Sequence, residues 1–189
     1  MNGAPLIGAT RRYAEARCRF ASAMSLLSAG TPMFLMGEEV GAQKPYTYDG
    51  FAEEKEDLEG DRRTIGAHLF RFYREVIALR LSCATLRSAN FEILHANDET
   101  RVIGFRRWDD DRDLLVVGSL NNCAFDQPGY RIEHEALGNG IWAERLNSDA
   151  QIYGGAGVGN PAPLQHYGGG LDLVLPANGV VMLERAPIQ

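Results

Sequence analysis

The first prediction about the fold comes from one stretch, Gly30-Thr-Pro-Met-Phe-Leu-Met-Gly-Glu-Glu-Val-Gly41. Its centre, Thr31–Gly37, is short and apolar and has a glycine at each end, which predicts a strand buried on both faces, as in a parallel sheet. Pro32 fits this prediction because proline is tolerated at the first position of a strand. Two acids, Glu38 and Glu39, follow at the carboxyl end, where β/α barrels carry their chemistry.

Helices are predicted on both sides of this stretch. Residues 10–29 place apolar side chains three, four or seven positions apart on one face: Tyr13, Phe20, Met24 and Leu27. Thr10 is the expected N-cap, and Gly30 lies just past the end. In residues 64–81, apolar side chains recur at alternating intervals of four and three positions, as in an amphipathic helix: Ile65, Leu69, Phe72, Val76 and Leu79. Since helix, strand and helix alone cannot bury both faces of a strand, we expect the first half to be the tail of a larger α/β domain.

The segment between strand and second helix, Gly41–Asp61, is expected to be an acidic loop with fast amide exchange. Aromatic faces stack on the apolar C–H faces of sugar rings, so Tyr46 and Tyr48, together with Glu39, are the predicted substrate-binding residues. The alternatives are local loop packing for the two tyrosines and a salt-bridged or solvated role for Glu39. Adjacent strand positions point to opposite faces, so Glu38 and Glu39 are not expected to form an acid–base pair.

From Phe91 onward the pattern changes to short strands separated by turns, which predicts an antiparallel β-sandwich. The expected strands are 91–95, 101–108, 114–120, 130–133, 141–145, 171–175 and 180–184. The glycine-rich run Gly154–Gly159 is interpreted as a structural turn, since it lacks the lysine and the following helix of a phosphate loop. Trp108 and Trp142 are candidate sugar platforms or packed strand residues.

Composition limits the function classes. The 189 residues carry a net charge of −6, and 45% of them are hydrophobic. Residues 1–89 hold 12 Lys/Arg and 11 Asp/Glu, whereas residues 90–189 hold 7 and 14. This acidic balance argues against a nucleic-acid partner, and no apolar run is long enough for a membrane span. Three separated cysteines, Cys18, Cys83 and Cys123, favour reduced thiols and a cytoplasmic location. No metal site and no cofactor are predicted.

Two motifs resemble a known family. The stretch Gly30–Gly41 is similar to the last barrel strand of the α-amylase superfamily, glycoside hydrolase family 13. The second motif comprises Leu146-Asn-Ser-Asp-Ala150, Tyr153-Gly-Gly-Ala-Gly-Val-Gly-Asn160 and Leu173-Val-Leu-Pro176, with Trp142 ahead of it. It resembles the all-β domain C of bacterial glycogen-branching enzymes. The resemblance runs from about residue 10 to residue 185.

The resemblance implies an α+β chain: a helix–strand–helix remnant of a (β/α)8 barrel in residues 1–88, followed by an antiparallel β-sandwich in residues 89–189. It implies a parent enzyme that acts on α-glucan, with 1,4-α-glucan branching favoured over an amylase-type hydrolase or a trehalohydrolase. A non-catalytic carbohydrate-binding or structural module is the other alternative. The family's catalytic carboxylates lie on earlier strands, so no residue here is assigned a catalytic role. The barrel remnant would leave apolar surface uncovered, which predicts a homodimer through Met33–Met36 or the Phe72 helix face.

Overall fold

The computed structural model describes residues 7–44 and 56–186. Its helices are α1 (Gly8–Leu27), α2 (Leu58–Arg63) and α3 (Ala67–Ser82). The strands follow in chain order: β1 (Glu92–Asn97), β2 (Val102–Trp108), β3 (Asp113–Ser119), β4 (Phe125–Glu133), β5 (Ile141–Asn147), β6 (Leu164–Gln165), β7 (Gly170–Leu175) and β8 (Gly179–Arg185). Short 3₁₀ turns lie at Glu38–Val40, Thr85–Arg87, Glu135–Leu137 and Gln151–Tyr153.

The strands form two antiparallel sheets that face each other. The larger sheet has the order β1-β2-β3-β8-β5-β6, and the smaller one pairs β4 with β7. Between them lies a core to which Leu115, Val117, Ile132, Trp142 and Leu171 contribute. The prediction of an antiparallel sandwich is therefore confirmed.

A second core lies on the other face of the large sheet, where α1 and α3 pack. Strand β3 is buried along its whole length because it is covered from both sides. Gly118 on this strand is in close contact with α1: a Cβ atom there would lie 2.8 Å from the ring of Phe20. The absence of a side chain at this position thus allows the helix to approach the sheet closely.

The apolar face of the second helix was predicted to remain uncovered, because the barrel strands that would pack on it are not in this chain. This prediction is wrong for most of the face. Leu69, Phe72 and Val76 are buried in the core shared with the large sheet, whereas Ile65 is exposed. The reason is that the sheet offers this helix an apolar face of its own, including Phe105. The Phe72 face is therefore excluded as a dimer surface.

The strand predicted at Thr31–Gly37 is also wrong. Residues 31–35 have no strand pairing, and a turn begins at residue 36. Met33, Leu35 and Met36 are 86%, 66% and 64% exposed. A strand needs neighbouring strands for its backbone hydrogen bonds, and the described residues provide none at this segment.

Two smaller expectations need correction. The N-cap of α1 is Ile7 rather than Thr10, and no side chain caps it. The predicted loop Gly41–Asp61 contains the start of α2, where the Asp57 carboxylate accepts a hydrogen bond from the Gly60 N–H. The exchange prediction for this segment largely concerns residues 45–55, which lie outside the described residues.

Candidate functional site

The predicted acidic pair lies on a tight turn. Gly37 has a φ of 98°, a conformation that favours glycine, and Glu38–Val40 then form a 3₁₀ turn. The Glu39 carboxylate accepts a hydrogen bond from the Gly37 N–H at 2.8 Å. Glu39 therefore stabilises its own turn through this hydrogen bond to Gly37.

Glu38 points instead towards α3. The Tyr73 hydroxyl donates to Glu38 Oε2 at 3.4 Å, and the Tyr73 ring packs edge-on against Phe34 at 5.2 Å. Burial and the nearby Glu38 carboxylate raise the pKa of Tyr73, so this hydroxyl remains a donor at neutral pH. Glu38 and Glu39 thus have different partners and do not form a catalytic pair.

The other two predicted site residues, Tyr46 and Tyr48, lie outside the described residues. The described parts on either side of them are tied together. The backbone N–H groups of Gln43 and Lys44 donate to the Glu56 carboxylate at 2.8 and 2.7 Å. This bond brings the two ends of the intervening segment close to each other.

Two arginines fix the direction in which the chain leaves α1 towards the acidic turn. Arg107 donates from Nη1 to the Leu27 carbonyl at 2.8 Å. Arg80 donates to the carbonyls of Ser28 and Gly30 at 3.0 and 2.6 Å. These contacts could not be predicted from the sequence. The helical pattern places Arg80 on the polar side of its helix, and the carbonyls that it contacts belong to residues about 50 positions away in the chain.

The glycine-rich loop joins the helices to the sandwich. Asp149 organises it by accepting from the backbone N–H groups of Ala156 and Val158, each at 3.1 Å. The Tyr153 hydroxyl donates to Glu75 at 2.6 Å and thereby lowers the pKa of that carboxyl, while the Tyr153 ring packs edge-on against Phe72. The loop therefore has a structural role at the boundary between helices and sheet.

Within residues 7–44 and 56–186, no cluster of three or more His, Cys, Asp or Glu side chains is placed to hold a metal ion. No described helix combines the length and the apolar character that crossing a membrane requires.

Comparison with known proteins gives consistent matches. Residues 93–186 match the family of the α-amylase C-terminal all-β domain. The chain is 34% identical over 169 residues to the 1,4-α-glucan branching enzyme GlgB of Salinibacter ruber, an alignment that covers 83% of this chain and 26% of that enzyme. It is 30% identical over 188 residues to GlgB of Dechloromonas aromatica, covering 93% of this chain and 29% of the relative.

A solved structure shares the fold. The α-amylase of H. orenii superposes with a TM-score of 0.59 at 23% identity, over 90% of this chain and 36% of that one. The chain thus spans between a quarter and about a third of the length of the proteins that it matches. Through residues 93–186 it belongs to the family of α-amylase C-terminal all-β domains.

Proposed function

We propose that this chain is the C-terminal part of a cytoplasmic 1,4-α-glucan branching enzyme, which transfers α-1,4-linked glucan segments to form α-1,6 branches in glycogen biosynthesis. The observation that carries the proposal is the extent of the similarity to the two branching enzymes. It covers 83% and 93% of the chain, so it includes residues ahead of the all-β domain. An α-amylase-type hydrolase is the second candidate, supported by the shared fold of the H. orenii enzyme.

Within that enzyme, residues 1–88 are proposed to complete a (β/α)8 barrel and residues 89–189 to form domain C. The exposure of Met33, Leu35 and Met36 supports this division, because large apolar side chains in a row are usually covered by a neighbouring element. In a barrel, neighbouring strands would cover them. Glu39, Tyr46 and Tyr48 are then proposed to line the barrel mouth and contact α-glucan.

A chimera tests the proposed function. This chain would replace the matching segment of the Salinibacter ruber enzyme, and the iodine absorbance of amylose would be followed. Branching shortens the linear chains that bind iodine, so we expect the absorbance to fall. A folded chimera that leaves amylose unchanged would refute the proposal. The control is a second chimera in which an unrelated β-sandwich replaces residues 89–189.

The chain by itself is expected to have no activity on glucans. A retaining mechanism needs a nucleophilic carboxylate and a protonated acid about 5 Å apart on opposite sides of the scissile bond. Glu38 and Glu39 are bound to other partners and do not provide this pair. The measurement is iodine absorbance and reducing ends after incubation with amylose. Turnover that is absent from a mock purification would contradict the expectation.

The separate chain is also proposed to form a homodimer through Met33–Met36. Each large apolar side chain that becomes buried contributes roughly 1.5–3 kcal/mol, which favours covering this segment with a second copy. Sedimentation equilibrium is expected to show a dimer, and the double change Met33→Ser with Leu35→Ser is expected to give a monomer. Leu81→Ser is the matched control, because Leu81 is similarly exposed but lies on α3. A monomeric unmodified chain would exclude the dimer.

A further inference from the structure

Three asparagines of the sequence are followed directly by glycine: Asn2, Asn139 and Asn178. In such a pair the backbone nitrogen of the glycine can attack the side-chain amide carbon of the asparagine, because glycine has no side chain that would obstruct the approach. Asn2 lies outside the described residues. The other two asparagines have very different surroundings, so the same dipeptide is expected to react differently at the two positions.

Asn178 is held in place by its neighbours. It is 2% exposed, its side-chain oxygen accepts from Nε of Arg17 at 3.2 Å, and its amide nitrogen donates to Asn122 at 3.1 Å. The glycine that follows, Gly179, opens strand β8 and is paired with Ser119 on β3. Attack on the Asn178 side chain therefore requires this corner of the sandwich to open first.

Asn139 has none of these constraints. It lies in a bend between the 3₁₀ turn Glu135–Leu137 and strand β5, and its side chain is exposed. Neither this side chain nor the Gly140 N–H is hydrogen-bonded to another described residue. Glycines precede and follow Asn139, and because glycine adopts backbone conformations that other residues avoid, the bend can reach the geometry of attack without unfolding the strands beside it.

We propose that Asn139 is a site of spontaneous deamidation in the folded protein. The Gly140 nitrogen loses its proton to hydroxide and bonds to the side-chain amide carbon of Asn139, the bond from that carbon to the side-chain nitrogen breaks, and ammonia leaves. The succinimide that remains is opened by water at either of its carbonyls, which gives aspartate or isoaspartate. Water is the co-reactant, and each product carries one more negative charge than asparagine.

The modified bend lies against the side chain of Arg185. A Cβ atom on Gly138 would lie 2.5 Å from Nη1 of Arg185, and one on Gly140 would lie 3.1 Å from its Cδ. The bend therefore has little spare room on this side, whereas isoaspartate inserts one extra carbon into the backbone. We expect the extra atom to weaken the start of the pairing between β5 and β6, where the His166 N–H donates to the Gly140 carbonyl at 3.2 Å.

Peptide mapping by mass spectrometry tests the proposal on the wild-type chain. Trypsin releases residues 132–145, a peptide in which Asn139 is the one asparagine and which contains no glutamine, so a deamidation mass gain there identifies the site. After incubation of the folded chain at mildly alkaline pH, conversion is expected to be roughly tenfold or more faster at Asn139 than at Asn178, because a buried segment reacts only through its opening. A sample digested without incubation gives the background.

The same incubation in urea removes the protection by the fold, so the two asparagines are expected to convert at similar rates. Equal rates at the two positions in the folded chain would overturn the proposal. An unchanged peptide 132–145 from the folded chain, under conditions that convert Asn178 in urea, would overturn it as well.

Asn139→Gln is the matched variant. Glutamine keeps the neutral amide, but its additional methylene group requires a larger ring, so an isoaspartate methyltransferase is expected to label peptide 132–145 of the incubated wild-type chain and not that of the variant. Equal labelling of the two peptides would refute the site. Amide exchange at His166 is expected to be faster in the converted wild-type chain than in the variant treated identically, and equal exchange would refute the weakened pairing.

Discussion

Phe72→Ala is expected to lower the free energy of unfolding by about 3–5 kcal/mol, the range found when a buried phenylalanine is truncated to alanine. Phe72 is fully buried between α3 and the large sheet, and its ring contacts Tyr153 at a centroid distance of 5.0 Å. The cavity left by the ring would lie in the core that joins the helices to the sandwich. The loss is measured by urea unfolding followed by circular dichroism.

Leu81→Ala is the matched control for this change. Leu81 lies on the same helix but is 67% exposed, so its truncation is expected to change the free energy of unfolding by less than about 0.5 kcal/mol. Equal effects of the two substitutions would mean that α3 does not pack on the sheet. A biphasic transition in the unmodified chain, with the helices unfolding first, would contradict the shared core as well.

Arg107→Leu is expected to lower the free energy of unfolding by roughly 3 kcal/mol or more, which is similar to the effect of Phe72→Ala. The Arg107 side chain is fully buried and donates to the backbone carbonyls of several residues: Leu27, Leu86, Ser88 and Asn90. Burial lowers the pKa of its guanidinium, although arginine stays protonated in proteins. Replacing it by leucine leaves these carbonyls without donors, and each buried unsatisfied group costs about 1–3 kcal/mol.

Two further substitutions test this explanation by the same unfolding measurement. Arg107→Lys is expected to recover little of the loss, because an ammonium group does not reproduce the planar fork that reaches several carbonyls. Arg145→Leu is the control: Arg145 is exposed and pairs with Glu184 at 2.7 Å, and surface ion pairs contribute about 0–1 kcal/mol. If the Arg107 and Arg145 substitutions had equal effects, the buried guanidinium would not be holding the connection between α3 and β1.

Local periodicity predicted the two long helices and most strands of the sandwich. The helix expected at 10–29 is observed at Gly8–Leu27, and the one expected at 64–81 is observed at Ala67–Ser82. Most strands of the sandwich lie close to their predicted positions, because alternating apolar residues and turn residues are local signals. Strand β4 begins at Phe125, five residues before its predicted start, and the two-residue strand β6 was not predicted. The glycine-rich motif resembles domain C of the α-amylase superfamily, and it lies within residues 93–186, which match the family of α-amylase C-terminal all-β domains.

Contacts between distant residues could not be predicted in the same way. The apolar face through Leu69, Phe72 and Val76 indicates burial, but it does not say whether a barrel or a sandwich covers it. The apolar run Thr31–Gly37 has the composition of a strand, yet strand formation depends on partners that no local pattern reveals. The site predictions at Tyr46 and Tyr48 remain predictions, and the described structure gives Glu39 a turn-stabilising contact that its sequence position alone did not indicate.

If this chain completes a branching enzyme, as we propose, the linkage composition of the product will show it. Amylose would be incubated with the chimera that carries this chain in the Salinibacter ruber enzyme, and α-1,6 linkages would be counted by proton NMR alongside reducing ends. We predict that α-1,6 linkages accumulate while the number of reducing ends stays constant, since transfer conserves them. A rise in reducing ends without new α-1,6 linkages would show hydrolysis and refute the proposed branching function.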